Sequence, residues 1–151
     1  MPKVYLAGPI IGHTYGAAQM WRDIARNRFA PDIQCFSPLR GKEGLDRRGV
    51  PIGNGGYPDS NPLNTDLAIL SRDMNDVLTC DLLLVNLLPA DCAAIGSCME
   101  IAWALAFRKP VVAAIRPDDT LHDHPLLRAA IGFRAGDLLE AVDIAKHVLL
   151  P

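Results

Sequence analysis

Asp81-Leu-Leu-Leu-Val-Asn-Leu-Leu88, Ile95-Gly-Ser-Cys-Met-Glu-Ile-Ala-Trp-Ala-Leu-Ala-Phe107 and Pro110-Val-Val-Ala-Ala-Ile115 follow one another through short loops. The outer two are short apolar runs and the middle one is apolar over three turns, so the set reads as strand, helix, strand. A strand without polar alternation fits a parallel sheet covered on both faces. The helix holds one carboxylate, Glu100, which this reading puts in the first turn, at the carboxyl edge of the strands, where open parallel sheets bind ligands. A buried carboxylate is costly unless it is paired or used. Ser97-Cys-Met-Glu100 also fits a capping box, in which each side chain satisfies the other's free backbone amide. Spacing alone leaves both readings open.

Outward from that unit the alternation continues. Lys3-Val-Tyr-Leu-Ala-Gly8 is a strand broken at Gly8-Pro9, and Ile33-Gln-Cys-Phe36 is another. Between them Trp21, Ile24, Ala25 and Phe29 recur at helical spacing, which predicts a helix from about 16 to 29. A second helix spans about 66–79, with Leu67, Leu70, Met74 and Leu78 expected on its inner face. A final helix, about 137–150, carries Leu138, Leu139, Val142, Ile144, Ala145 and Val148. Strands alternating with helices predict an α/β fold with a parallel, helix-covered sheet.

Two stretches escape the pattern. Residues 37–65 are rich in Gly and Pro, including Gly53-Asn-Gly-Gly56 and Pro58-Asp-Ser-Asn-Pro62; a loop that long is a lid, a binding loop or disordered. Its Arg40, Lys42, Arg47 and Arg48 could meet an anion or simply face solvent. Arg116 to Pro125 is a shorter polar loop. With no repeat or low-complexity segment, residues 1–151 are expected to form one domain.

Half of the 151 residues are hydrophobic and the net charge is −2, which suits a folded globular chain and gives no basic patch for a nucleic acid polymer. Apolar runs stop short of the ~18 residues needed to span a bilayer, so no membrane partner is expected. No signal-peptide pattern opens the chain, and a cytoplasmic location is expected. Cys35, Cys80, Cys92 and Cys98 make no C-x-x-C pair and no usual zinc spacing. Neither a metal nor an organic cofactor is expected.

Asp73 lies eight residues before Asp81 in the helix that leads into the central strand. Taken alone, it is an ordinary helical Asp beside Arg72, and Asp81 is a turn residue. Three features occur together in order: Tyr5-Leu-Ala-Gly-Pro9 after the first strand, the D-x7-D helix, and Gly96-x-x-x-Glu100 opening a helix that ends at Lys109-Pro-Val111. This set resembles the nucleoside 2-deoxyribosyltransferase family and its relatives, the 2'-deoxynucleoside 5'-phosphate N-hydrolases. The resemblance runs from Val4 to the last helix and fades in the long loop. It implies a flavodoxin-like three-layer sandwich, with a parallel sheet of about five strands and helices on both faces.

Carried onto this chain, the resemblance implies Glu100 as the nucleophile that attacks the anomeric carbon. Tyr5 would orient that carboxylate, and Asp73 would hold or protonate the departing base. Gly8, Pro9 and Ile10 would line the pocket, and Gly96 would let backbone approach the sugar, with Ser97 and Asp91 beside it. Partners would be a nucleoside and a free nucleobase, and the chain would form a homo-oligomer, a dimer or larger. The reaction would pass 2-deoxyribose between bases through a glycosyl-glutamate; the alternative is an N-glycoside hydrolase acting on nucleosides or their 5'-monophosphates. Two carboxyl groups about 5 Å apart suit such retaining chemistry.

The chain departs from the pattern in four places. Ala94 stands where transferases tend to carry Asp and the hydrolases Ser, with Asp91 three positions earlier. Ile11 replaces the arginine that holds a 5'-phosphate. No asparagine follows Asn86 to serve a neighbouring subunit, which leaves His122, Asp123 or His124 as substitutes, and the chain ends in Pro151 rather than an aromatic residue.

Overall fold

The computed structural model describes residues 1–53 and 60–151. In chain order the elements are β1 (Lys3–Ala7), α1 (Tyr15–Phe29), β2 (Gln34–Phe36), α2 (Asp66–Thr79), β3 (Leu82–Asn86), α3 (Ile95–Ala106), β4 (Val111–Ala114), α4 (Pro125–Ala130), β5 (Phe133–Ala135) and α5 (Leu138–Leu149). The strands form one parallel sheet in the order β2-β1-β3-β4-β5. This is the flavodoxin-like order, and its direction of winding reverses between β1 and β3. Any ligand crevice of such a sheet opens at the carboxyl ends of those two strands, just past Ala7 and Asn86.

The register puts Tyr5 beside Leu83 and Ala7 beside Val85. Successive side chains point to opposite faces, so each central strand feeds two cores. Val4, Leu6, Leu82, Leu84, Val112 and Ala114 pack with Trp21, Phe29 and Val142 under α1 and α5. Tyr5, Ala7, Leu83, Val85, Val111 and Ala113 pack with Val77, Ile101 and Ala104 under α2 and α3.

Predicted and observed bounds of α1, α2 and α5 agree to within a residue at each end, but the faces do not all agree. In α2 the buried residues are Asp73, Asp76 and Val77, whereas Leu67, Leu70, Met74 and Leu78 are exposed, Leu67 by 72%. The expected inner face is therefore the outer one. Ile24 in α1 and Leu139 and Val148 in α5 likewise lie outside the core. The fifth strand, β5, is a three-residue edge strand with two exposed positions, too short to signal itself.

The first part of the long loop is folded rather than irregular. It contains a 3-10 turn at Glu43–Leu45, and a second such turn at Pro62–Asn64 precedes α2. Leu39, Leu45 and Ile52 bury against Ala18 of α1, and Ile52 exchanges backbone hydrogen bonds with Gly12 and His13. Most of Gly53–Gly56 and the start of Pro58–Pro62 lie outside the described residues. No helix among the described residues is long and apolar enough to cross a membrane.

Candidate active site

Tyr5 points from β1 into the α2–α3 side of the sheet and is wholly buried. Its hydroxyl donates a 2.8 Å hydrogen bond to Oε1 of Glu100. Glu100 comes from α3, which begins at Ile95, so it lies in the second turn and not the first. The capping box is therefore absent: the N-cap is Ala94, and Glu100 is turned inward onto Tyr5. At that depth the free amides of the helix start give the carboxylate little help, and burial dominates. Burial, then the charge of Asp73, push Glu100 up to about 8, against the Tyr5 hydrogen bond and the more distant Arg22. The Tyr5 hydroxyl is itself raised well above its usual value by burial and by the two carboxylates.

Asp73 is the second acid. It faces inward from the middle of α2 because the helix turns its polar side to the sheet. Burial raises it to about 6, with Lys42 and Arg72 pulling the other way. Its Oδ1 is buried without a hydrogen-bond partner, and Arg72 Nε is 3.8 Å away. A buried carboxylate oxygen without a hydrogen bond is expensive, and the Arg72 charge offsets only part of that cost.

The surrounding cations are mostly committed to structure. Arg72 donates to the carbonyls of Arg40, at 2.9 Å, and Pro38. Arg40 makes a bidentate pair with Asp76 at 2.5 and 2.9 Å and stacks on Phe36. Lys42, expected in an open loop, is buried. Asp81 accepts the Lys3 amide at 2.8 Å and serves the β1–β3 junction, as a turn residue would.

The remaining predicted residues sort by position. Gly8, Pro9 and Ile10 leave β1 at the same edge as Tyr5. A Cβ on Gly8 would sit 2.8 Å from the Trp21 ring and 2.9 Å from the Asn86 carbonyl, so glycine is required for this close turn. Ser97 is buried in the first turn of α3, while Gly96 and Asp91 are exposed on the same approach. Ile11 is exposed and offers no charge to a phosphate. Among the described residues no group of three His, Cys, Asp or Glu could hold a metal ion.

Two residues near the site were missed or misplaced by the sequence reading. Arg22 is fully buried and donates to the carbonyls of Leu6, Ala18 and Gly8, bracing the end of β1. Its signal was present: Ala18, Arg22, Ala25 and Phe29 fall on one helical stripe. His122, considered only as a loop residue for a neighbouring subunit, is buried beside the start of α3; no sequence pattern marks that contact.

The family model described as nucleoside 2-deoxyribosyltransferase matches residues 4–129, which include Tyr5, Asp73 and Glu100. The chain belongs to that family. No curated protein matches the chain at a significant level. Among solved structures, a 2-deoxyribosyltransferase from Bacillus psychrosaccharolyticus is similar with a TM-score of 0.63 at 13% identity, over 93% of this chain and 90% of that one. A CMP N-glycosidase from Clostridium botulinum is similar with a TM-score of 0.60 at 12% identity, over 97% and 99%. A conserved protein from Enterococcus faecalis V583 reaches 0.56 at 20% identity, over 95% and 87%. At these identities the structures establish the shared fold, and the family match carries the chemistry only as far as nucleoside deoxyribosyl transfer or N-glycoside cleavage.

Proposed function

We propose that this protein breaks the N-glycosidic bond of 2'-deoxynucleosides and passes the 2-deoxyribosyl group to another nucleobase through a covalent ester on Glu100. The observation that carries the reading is the buried Tyr5–Glu100 hydrogen bond of 2.8 Å at the switch point of the sheet, within the stretch that matches the family. Glu100 attacks the anomeric carbon as the bond to the base breaks. Asp73, whose buried Oδ1 accepts no hydrogen bond, gives a proton to the departing base and takes one back from the incoming base.

Burial raises both carboxyls, and the charge of Asp73 raises Glu100 further, so each holds its proton to higher pH than an ordinary carboxyl. Positive charge developing on the sugar favours ionised Glu100, and negative charge developing on the base favours protonated Asp73. Gly8, Pro9, Ile10, Gly96, Ser97 and Asp91 form the approach on the substrate side. We also propose a homo-oligomer, supported by the exposed stripe Leu67, Leu70, Met74 and Leu78 on α2, beside exposed Ile95 and Met99 on α3.

The test is chromatography of the purified protein with deoxyinosine or thymidine, with and without free adenine, beside Glu100→Ala. A Glu100-dependent deoxyadenosine peak is expected. Free base without transfer would replace the transferase by an N-glycoside hydrolase. A Glu100→Ala variant of full activity would sink both.

A further inference from the structure

α3 carries the proposed nucleophile, yet its own sequence fixes its start poorly. The N-cap residue is Ala94, which has no side chain to cap with, and no acidic residue occupies the first turn. Thr14, Thr65 and Asp137 cap α1, α2 and α5 with their own side chains. What holds α3 comes from elsewhere. His122, in the loop between β4 and α4, is 2% exposed, and its Nε2 accepts the Ala94 amide at 3.1 Å across 28 residues of chain.

Accepting an N–H requires an unprotonated ring nitrogen, so the imidazole proton belongs on Nδ1. There Asp119 receives it: Nδ1 lies 3.2 Å from Oδ2, and the His122 amide donates to Oδ1 at 2.9 Å. Both side chains are closed to solvent. Burial would push Asp119 up, but the hydrogen bonds from His122 pull it below its ordinary value and keep it ionised. A carboxylate thus sets the tautomer, the tautomer sets the acceptor, and the acceptor holds the N-cap residue of α3. The Tyr5–Glu100 hydrogen bond begins six residues further on.

We propose that His122, oriented by Asp119, is a positioning residue for the reaction proposed above: it latches the start of α3 so that Glu100 meets Tyr5 and the anomeric carbon at bonding distance. The inference rests on that reading of Glu100. A displaced nucleophile loses rate rather than affinity, and a misplacement of about 1 Å can cost about 10²-fold. His122→Ala should therefore lower kcat by roughly 10- to 100-fold with little change in KM. His122→Gln, whose Oε1 can accept the same amide, should recover much of that loss.

The experiment follows three signals in wild type, His122→Ala, His122→Gln and Asp119→Asn. Two need no substrate: hydrogen exchange of the Ala94 amide, and the carbon-13 resonance of the Tyr5 phenol, which reads its contact with Glu100. In His122→Ala, Ala94 exchange should quicken and the Tyr5 signal should move, while amides of α5 stay as in wild type. The third is kcat and KM. Unchanged Ala94 exchange, or an unmoved Tyr5 signal, would overturn the latch. Altered signals with wild-type kcat would reduce the contact to a stabilising one. A wild-type protein without turnover would fail the functional reading alone, because the first two signals would still decide whether the latch sets the Tyr5–Glu100 pair. If His122→Ala does not fold, Asp119→Asn, which removes the charge that orients the ring, carries the same measurements.

Discussion

The two faces of the sheet are built from the same strands and do opposite things with them. Toward α1 and α5 the strands send Val4, Leu6, Leu82, Leu84, Val112 and Ala114, met by apolar residues. Among the described residues the buried charge there, Arg22, is spent on backbone carbonyls at the strand edge. Toward α2 and α3 the same strands send Tyr5, and the helices return Glu100, Asp73 and Asp76. One face lowers free energy by excluding water. The other gives some of that gain up to keep two carboxyl groups poorly solvated. The difference shows in α2, whose inward side carries Asp73 and Asp76 while its leucines face out.

The contrast can be broken hardest at Glu100. Glu100→Gln should cut turnover by at least about 10³-fold and leave the protein folded, because an amide of the same shape is cheaper to bury than a carboxylate. Steady-state rates beside a urea titration measure both halves. A variant that loses fold rather than rate would erase the distinction between the faces.

Next in size is the pH dependence of stability. Glu100 and Asp73 are raised in the folded protein, from 4.5 to about 8 and from 3.8 to about 6. The folded state therefore holds protons that the unfolded chain has released. Their contribution to stability is complete below the unfolded values and is lost as pH rises through the folded ones. Unfolding free energy should fall between about pH 4 and pH 8, and Glu100→Gln should flatten the upper part of that slope. A curve rising with pH across that window would mean the pair is ionised and compensated.

On the dry face, Leu84→Ala should destabilise by about 2–5 kcal/mol, as a buried cavity does, while kcat of the folded fraction stays near wild type. Tyr5→Phe, on the working face, removes one hydrogen bond to an ionisable group, worth about 1.5–3 kcal/mol. Because that bond lowers Glu100, its loss should raise Glu100 further and move the acid limb of kcat to higher pH. The smallest effect belongs to the outer stripe. Leu70→Ser should change the stability of a single chain by no more than about 0.5 kcal/mol yet weaken self-association, read by analytical ultracentrifugation. Wild-type association in Leu70→Ser would remove this stripe from the proposed contact.

Much of the fold was legible because the central strands are continuous apolar runs and the helices are properly bounded. Thr14, Thr65 and Asp137 mark three helix starts with capping side chains. What could not be read follows from the same physics. The 3.6 period of α2 was clear, but period alone does not say which side faces in, and the larger apolar side was the wrong choice. Glu100 was singled out by its isolation in an apolar helix, yet its turn was misjudged, since the cap of α3 lies in His122 and not in local sequence. Tyr5 and Asp73 stood out only through the family pattern, as a tyrosine in a strand and an aspartate in a helix are common. Arg40 was visible as a charge in a loop; its partner Asp76 lies 36 residues away and leaves no local trace.

Tyr5 has a further consequence through its place in the sheet. It lies in β1, hydrogen-bonded on one side to β2 and on the other to β3, with its register neighbours Phe36 and Leu83. Interior strands of this kind open only when the whole molecule does. One half of the Tyr5–Glu100 pair is thus tied to the last part of the chain to let go, and the other half to a helix whose N-cap amide is accepted by an imidazole from a distant loop. Along a denaturant series, turnover that disappears together with the sheet would make the enzyme as durable as its fold. Turnover that disappears first would set its working lifetime by the hold on one helix end.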